Sequence, residues 1–158
     1  MKKLIAALAL VVLTALLAGC GGGGGAADPG PVGNVTLTVK ALGAPATLYG
    51  VQFKMALPAG VILATQPSGE LASGVVVPSA GTSGADLVTT YDRAATPQTL
   101  SVVLLSGTGF PAGDMVTVAV SAPVTATVQA DSFVFSEFAA YDDFTGSPAA
   151  VTGSVSIP

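Results

Sequence analysis

From residue 34 onward the chain is patterned by alternation. Val35, Leu37 and Val39 alternate with Thr36, Thr38 and Lys40, which predicts a strand with one buried face. A longer alternation sets Tyr49, Val51, Phe53, Met55 and Leu57 against Gly50, Gln52, Lys54 and Ala56. Pro58-Ala59-Gly60 then turns the chain into a short apolar run, Val61-Ile62-Leu63. Val75-Val76-Val77 stops at Pro78, and the segment from Ser79 to Ala85 reads as a small-residue loop. Leu87 to Tyr91 and Leu100 to Leu105 predict paired strands across the stretch from Asp92 to Gln98, and Gly107 to Gly113 predicts a turn-rich loop. Met115 to Ser121 is the cleanest inner strand, with Val116, Val118 and Val120 on one face. Phe133 to Phe138 carries three aromatics, and Val151, Val155 and Ile157 close the chain. A short helix fits only near Ala139 to Asp143. Eight or nine short strands, frequent turn signals and no helical run predict one all-β domain over residues 34–158. Its expected form is an antiparallel β-sandwich or jelly roll.

The first 33 residues follow a different pattern. Met1-Lys2-Lys3 precedes an apolar run from Leu4 to Leu17 that only Thr14 interrupts, and Leu17-Ala18-Gly19-Cys20 follows. Leu4 to Gly19 is sixteen residues, short of the roughly 20 that cross a bilayer. A signal segment fits better than an uncleaved anchor helix, because small Ala18 and Gly19 leave room for a processing enzyme. The basic start, apolar segment and L-A-G-C run resemble a bacterial lipoprotein signal with its lipobox. That resemblance implies cleavage after residue 19 and lipidation of Cys20, with the membrane held through acyl chains. Each buried acyl CH₂ contributes about 0.8 kcal/mol to such an anchor. Gly21 to Gly33, with five glycines in a row and then Asp28-Pro29-Gly30-Pro31, predicts a flexible tether. No Asp follows Cys20 until Asp28, so the chain lacks what resembles an inner-membrane retention signal. The implied location is the outer membrane or cell surface.

Composition narrows the function further. Beyond the signal, Lys40, Lys54 and Arg93 stand against nine acidic residues. No cluster of basic residues is present to meet phosphates, so nucleic acid is not an expected partner. Cys20 is the only cysteine, which leaves an exported domain to be stabilised by its core, by bound ions or by association. Val and Thr abound, and charged residues are few.

Three stretches carry a further likeness. Leu48-Tyr49-Gly50-Val51-Gln52-Phe53-Lys54-Met55-Ala56-Leu57-Pro58-Ala59-Gly60-Val61 resembles the opening strand of bacterial cohesin domains. Gly113-Asp114-Met115-Val116-Thr117-Val118-Ala119-Val120 resembles their late strand. Phe133 to Ile157, with Asp142-Asp143 and then Gly153-Ser154-Val155-Ser156-Ile157, is similar to their last hairpin. The resemblance implies a nine-stranded jelly roll shared with cellulose-binding modules, and a role in recognising a protein or a carbohydrate. Leu57-Pro58-Ala59-Gly60 replaces the Asp-Pro loop of cohesins, and no dockerin-like segment is present, so cellulosomal function does not carry over.

Catalytic chemistry has little to work with. The chain has no His, which excludes Ser-His-Asp and Cys-His catalysis. Cys20 is committed to lipid, so zinc lacks its usual ligands, and the glycine run has neither the Lys nor the helix of a phosphate loop. The carboxylates Glu70, Asp86, Asp92, Asp114, Glu137, Asp142 and Asp143 remain, and glycoside hydrolysis would need two of them facing each other across a cleft. The expectation is a protein that is not an enzyme and takes no cofactor. Asp142 and Asp143 with Thr145 and Gly146 suit either an oxygen-rich Ca²⁺ loop or, as the favoured reading, an Asx-type turn. Of the aromatics, alternation places Phe133 and Phe135 on one face, as core. Tyr141 and Phe144 fall in a predicted loop and are the recognition candidates, with Tyr91 beside them for a carbohydrate ligand. The absence of Trp removes the usual sugar platform.

Overall fold

The computed structural model describes residues 32–43 and 47–158. The signal segment 1–19, Cys20 and the tether up to residue 31 lie outside the described residues. The domain is all-β, with eight strands in two antiparallel sheets packed as a sandwich. In chain order these are β1 (Val32–Leu42), β2 (Thr47–Ala56), β3 (Val76–Pro78), β4 (Asp86–Asp92), β5 (Thr99–Pro111), β6 (Gly113–Pro123), β7 (Val134–Tyr141) and β8 (Thr152–Ser156). One sheet has the order β3-β6-β1-β8 and the other β4-β5-β2-β7. Only the β4–β5 connection stays within a sheet.

This winding lays one bent ribbon against two others. β1 and β2 are joined at one end of the sandwich and lie in opposite sheets. On one side they pair with β6 and β5, and on the other with β8 and β7. Every pairing is antiparallel. The inner faces meet in a core of Leu37 and Val39 from β1, Leu48, Val51, Phe53 and Met55 from β2, Leu100, Val102 and Leu104 from β5, and Val116, Val118 and Val120 from β6. The expected inner faces of β1 and β6 are therefore as observed, and β4 and β5 form the expected pair.

Several expectations need correction. β1 begins at Val32 rather than near Asn34, because Val32 and Gly33 already pair with Pro123 and Ala122. Val61-Ile62-Leu63 is not a strand. Ile62 makes a single bridge to Ser121, while Val61 and Leu63 are buried against the core. No helix forms at Ala139 to Asp143. Ala139 to Tyr141 complete β7, with Ala140 buried opposite Val51. Gly107 to Gly113 is not one loop, since β5 continues through Pro111.

Besides the slip at Val39/Lys40, which buries Met115 next to Val116, two irregularities reverse the faces that strict alternation predicts. In β7 the register with β2 slips between the Glu137–Lys54 and Phe135–Met55 pairs, so Ser136 is the extra residue of a bulge. Phe135 and Phe138, three apart, both contact Phe53, with ring centroids 5.5 and 6.1 Å away. Phe138 also lies over β8, where a Cβ on Gly153 would fall 2.3 Å from its ring. That contact closes the sandwich where β7 and β8 run beside each other.

Gly153→Ala is expected to force the Phe138 ring out of place and cost about 1–3 kcal/mol, the usual penalty for overpacking. Urea unfolding reads this as a lower midpoint at unchanged slope. Adding Phe138→Leu should recover part of the loss, and strict additivity of the two substitutions would show that the ring is not what Gly153 accommodates.

Candidate functional site

The second irregularity builds a cleft. Along β2 and β5, Leu48 pairs with Phe110 and Gly50 with Leu105. Tyr49 is thus the single residue opposite the four-residue stretch Ser106-Gly107-Thr108-Gly109. The stretch is held locally, because Ser106 Oγ accepts from the backbone N–H groups of Thr108 and Gly109 at 3.3 and 3.1 Å. Gly109 has φ +82°, and a Cβ there would sit 2.6 Å from the Thr47 methyl, so only glycine closes the excursion. Phe110 then returns to the core. The slip puts both Leu48 and Val51 inward, so Tyr49 leaves the inner face that alternation assigns it.

On the other side of β2, Tyr141 ends β7 opposite Gly50 and is not a loop residue. Its hydroxyl accepts a hydrogen bond from Gln52 Nε2 at 3.1 Å. The chain then leaves the sheet through Asp142 to Val151 before β8. Phe144, at 77% exposure the most exposed of the large apolar side chains described, folds back so that its ring lies 4.7 Å from that of Tyr49, tilted by 49°. Tyr49, Tyr141 and Phe144 line an open cleft of about 380 Å³ together with Gly50, Asp86, Leu105, Ser106, Gly107, Asp143 and Gly146.

Asp143 fixes the loop that carries Phe144. Its Oδ1 accepts from the Thr145 hydroxyl at 2.7 Å and from the Thr145 N–H at 2.9 Å. The second bond is the Asx turn expected from the sequence. The Thr145 hydroxyl first, and then its N–H, hold the Asp143 carboxyl below the usual carboxylate range. Asp143 is therefore an anion and an acceptor near neutral pH, not a proton donor. Asp142 is exposed and does not line the cleft. Among the described residues, no three His, Cys, Asp or Glu side chains gather as a metal-binding group.

Of the aromatic candidates, Tyr141 and Phe144 come together and Tyr91 does not. Tyr91 lies near the other end of β4 from Asp86, about 17 Å along the strand. It is half-buried against the core, and its hydroxyl donates to the Gln98 side chain. Sequence reasoning missed Tyr49, Asp86 and Ser106 as cleft residues. The signal for the first and last was Ser106-Gly107-Thr108-Gly109, two glycines within an otherwise apolar strand, which marks a bulge as readily as a turn.

Thr145→Val should raise the Asp143 pKa toward its ordinary value without restoring it fully, since the N–H bond survives. A ¹³C carboxyl titration by NMR measures this, and an unmoved pKa would contradict the assignment of the hydroxyl as the main cause. Comparison with protein-family models, with curated proteins and with solved structures gives no match for this chain.

Proposed function

We propose that this chain is a non-catalytic, lipid-anchored recognition module of the cell envelope, which binds a protein partner through the cleft around Tyr49, Tyr141 and Phe144. The observation that carries the reading is the cleft together with the apolar strip beside it. Leu105 at its wall is 53% exposed, and Val88 on β4 is 58% exposed and pairs with Val103. Aromatic side chains with neighbouring exposed aliphatic surface are what protein interfaces use at their centres. The lipobox at Cys20 supplies the anchor and the glycine-rich run supplies the tether. The strand winding, with nearly every connection passing between sheets, supports a cohesin-like jelly roll as the underlying topology.

The chemistry of the cleft favours binding over turnover. Asp143 is held ionised, so it does not supply the raised-pKa acid that glycoside hydrolysis requires. A second reading, a carbohydrate-binding module, draws on one feature of the same cleft. Three aromatic rings beside two carboxylates, Asp86 and Asp143, offer stacking faces and hydroxyl acceptors together.

Phe144→Ala is expected to weaken capture of an envelope protein by the full-length chain by about tenfold or more, the usual loss of an interface anchor. Capture that is indifferent to both Phe144→Ala and Tyr141→Ala sinks the assignment of the cleft. Glycan-array binding that Tyr141→Ala removes would instead favour the carbohydrate reading. Cys20→Ser should abolish processing and acyl labelling, because serine lacks the thiol that accepts the lipid. A mutant that still labels with a fatty-acid probe refutes the anchor.

A further inference from the structure

We infer that the cleft selects a lysine side chain of the partner, its ammonium group held between the rings of Tyr49, Tyr141 and Phe144 and the carboxylates of Asp86 and Asp143. This rests on the proposal that the cleft is the recognition surface. The argument is one of complementary charge and hydrogen-bonding capacity. Asp86 and Asp143 line the same space as the three rings. Neither has an ion-pair partner among the described residues. Lys40 pairs with Asp114 at 3.3 Å and Lys54 with Glu137 at 2.8 Å, and Arg93 lines a different cleft, beside Pro58 and Pro97. The site therefore carries negative charge with nothing of opposite sign lining it.

Its charged groups are acceptors alone. An ionised carboxylate accepts only. The Ser106 hydroxyl accepts from two backbone N–H groups and lies 3.3 Å from the Thr108 hydroxyl, and the Tyr141 hydroxyl accepts from Gln52 and keeps its own O–H to donate. An ammonium group has three donors and no acceptor, which complements the two carboxylates. The rings add attraction for a cation over their faces. The four-carbon stem of lysine is apolar, and Leu105 and Phe144 supply a surface for it to lie along. A carboxylate or phosphate ligand would meet repulsion instead.

The test uses the full-length protein in neutral detergent micelles with ¹³C-labelled tyrosine rings. The chain has three tyrosines, and Tyr91, outside the cleft, is the internal control. The probes are N-acetyl-lysine amide and N-acetyl-norleucine amide, which differ only in the ammonium group. Lysine amide should shift Tyr49 and Tyr141 but not Tyr91, bind about tenfold or more tightly than norleucine amide, and weaken with added salt. Asp86→Asn and Asp143→Asn together, isosteric and able to keep the Asx turn, should lower lysine affinity to the norleucine level. Equal binding of the two probes, no shift at Tyr49 and Tyr141, or unchanged affinity in the double variant overturns the inference. A neutral methyl glucoside that shifts the same tyrosines while lysine amide does not also overturns it. The two proposals fail separately. Partner capture that needs Phe144 but is not competed by lysine amide defeats only the lysine assignment. Lysine binding alongside capture that ignores Phe144→Ala defeats only the cleft as the partner surface.

Discussion

Everything in this domain hangs on the antiparallel pairing of one bent ribbon, β1–β2, with a second, β5–β6. β1 with β6 makes the centre of one sheet and β2 with β5 the centre of the other. β5 passes into β6 through Ala112 alone, so the two sheets are tied together where one strand follows the other. β3, β4, β7 and β8 are edge strands added to this centre. A chain with no disulfide available to the domain and few charges has little else to stabilise it. The pairing aligns the inner faces so that Leu37, Val39, Phe53, Met55, Leu104 and Val118 bury one another. The hydrophobic contribution and the backbone ladder thus arise from the same register.

The cleft is the place where that register is relaxed. Four residues on β5 stand opposite one on β2, and the ladder resumes on either side at Leu48–Phe110 and Gly50–Leu105. A bulge of this kind turns one side chain outward and leaves its neighbours buried. Here it turns out Tyr49, which then meets Phe144 from the β7–β8 loop. The loop is itself pinned by the Asp143–Thr145 turn. Two local devices, each held by short-range hydrogen bonds to a side chain, therefore position the aromatic faces. Neither depends on a large core, so the site tolerates an otherwise small domain.

Much of the fold was legible in the sequence, for identifiable reasons. The inner faces of β1 and β6 show unbroken alternation of Leu and Val with Thr and Ala, and a half-buried strand requires that pattern. The Asx turn at Asp143 was legible because its donor and acceptor lie two residues apart. The outward face of Tyr49 was not, because it depends on an insertion in the partner strand more than fifty residues later in the chain. The inward face of Phe138 was not legible for the same reason, since it depends on the extra Ser136. The cleft as a whole draws on residues near 49, 86, 106 and 144. Asp86 joins it only because the hairpin register sets it opposite Leu105, and no local pattern announces that.

The direction in which the chain enters the sandwich has a consequence for access. β1 starts at Val32 beside Pro123, at the end where the Gly60 turn also packs against Pro123. The cleft lies at the other end, where β2 begins and β7 finishes. Eleven residues of β1 separate the two, about 35 Å at the usual rise per residue. A domain held by the segment that precedes Val32 therefore carries its aromatic cleft at the far pole. Under the proposed function, attachment and recognition would thus not compete for the same space, and a partner would approach head-on without first displacing the surface that holds the chain.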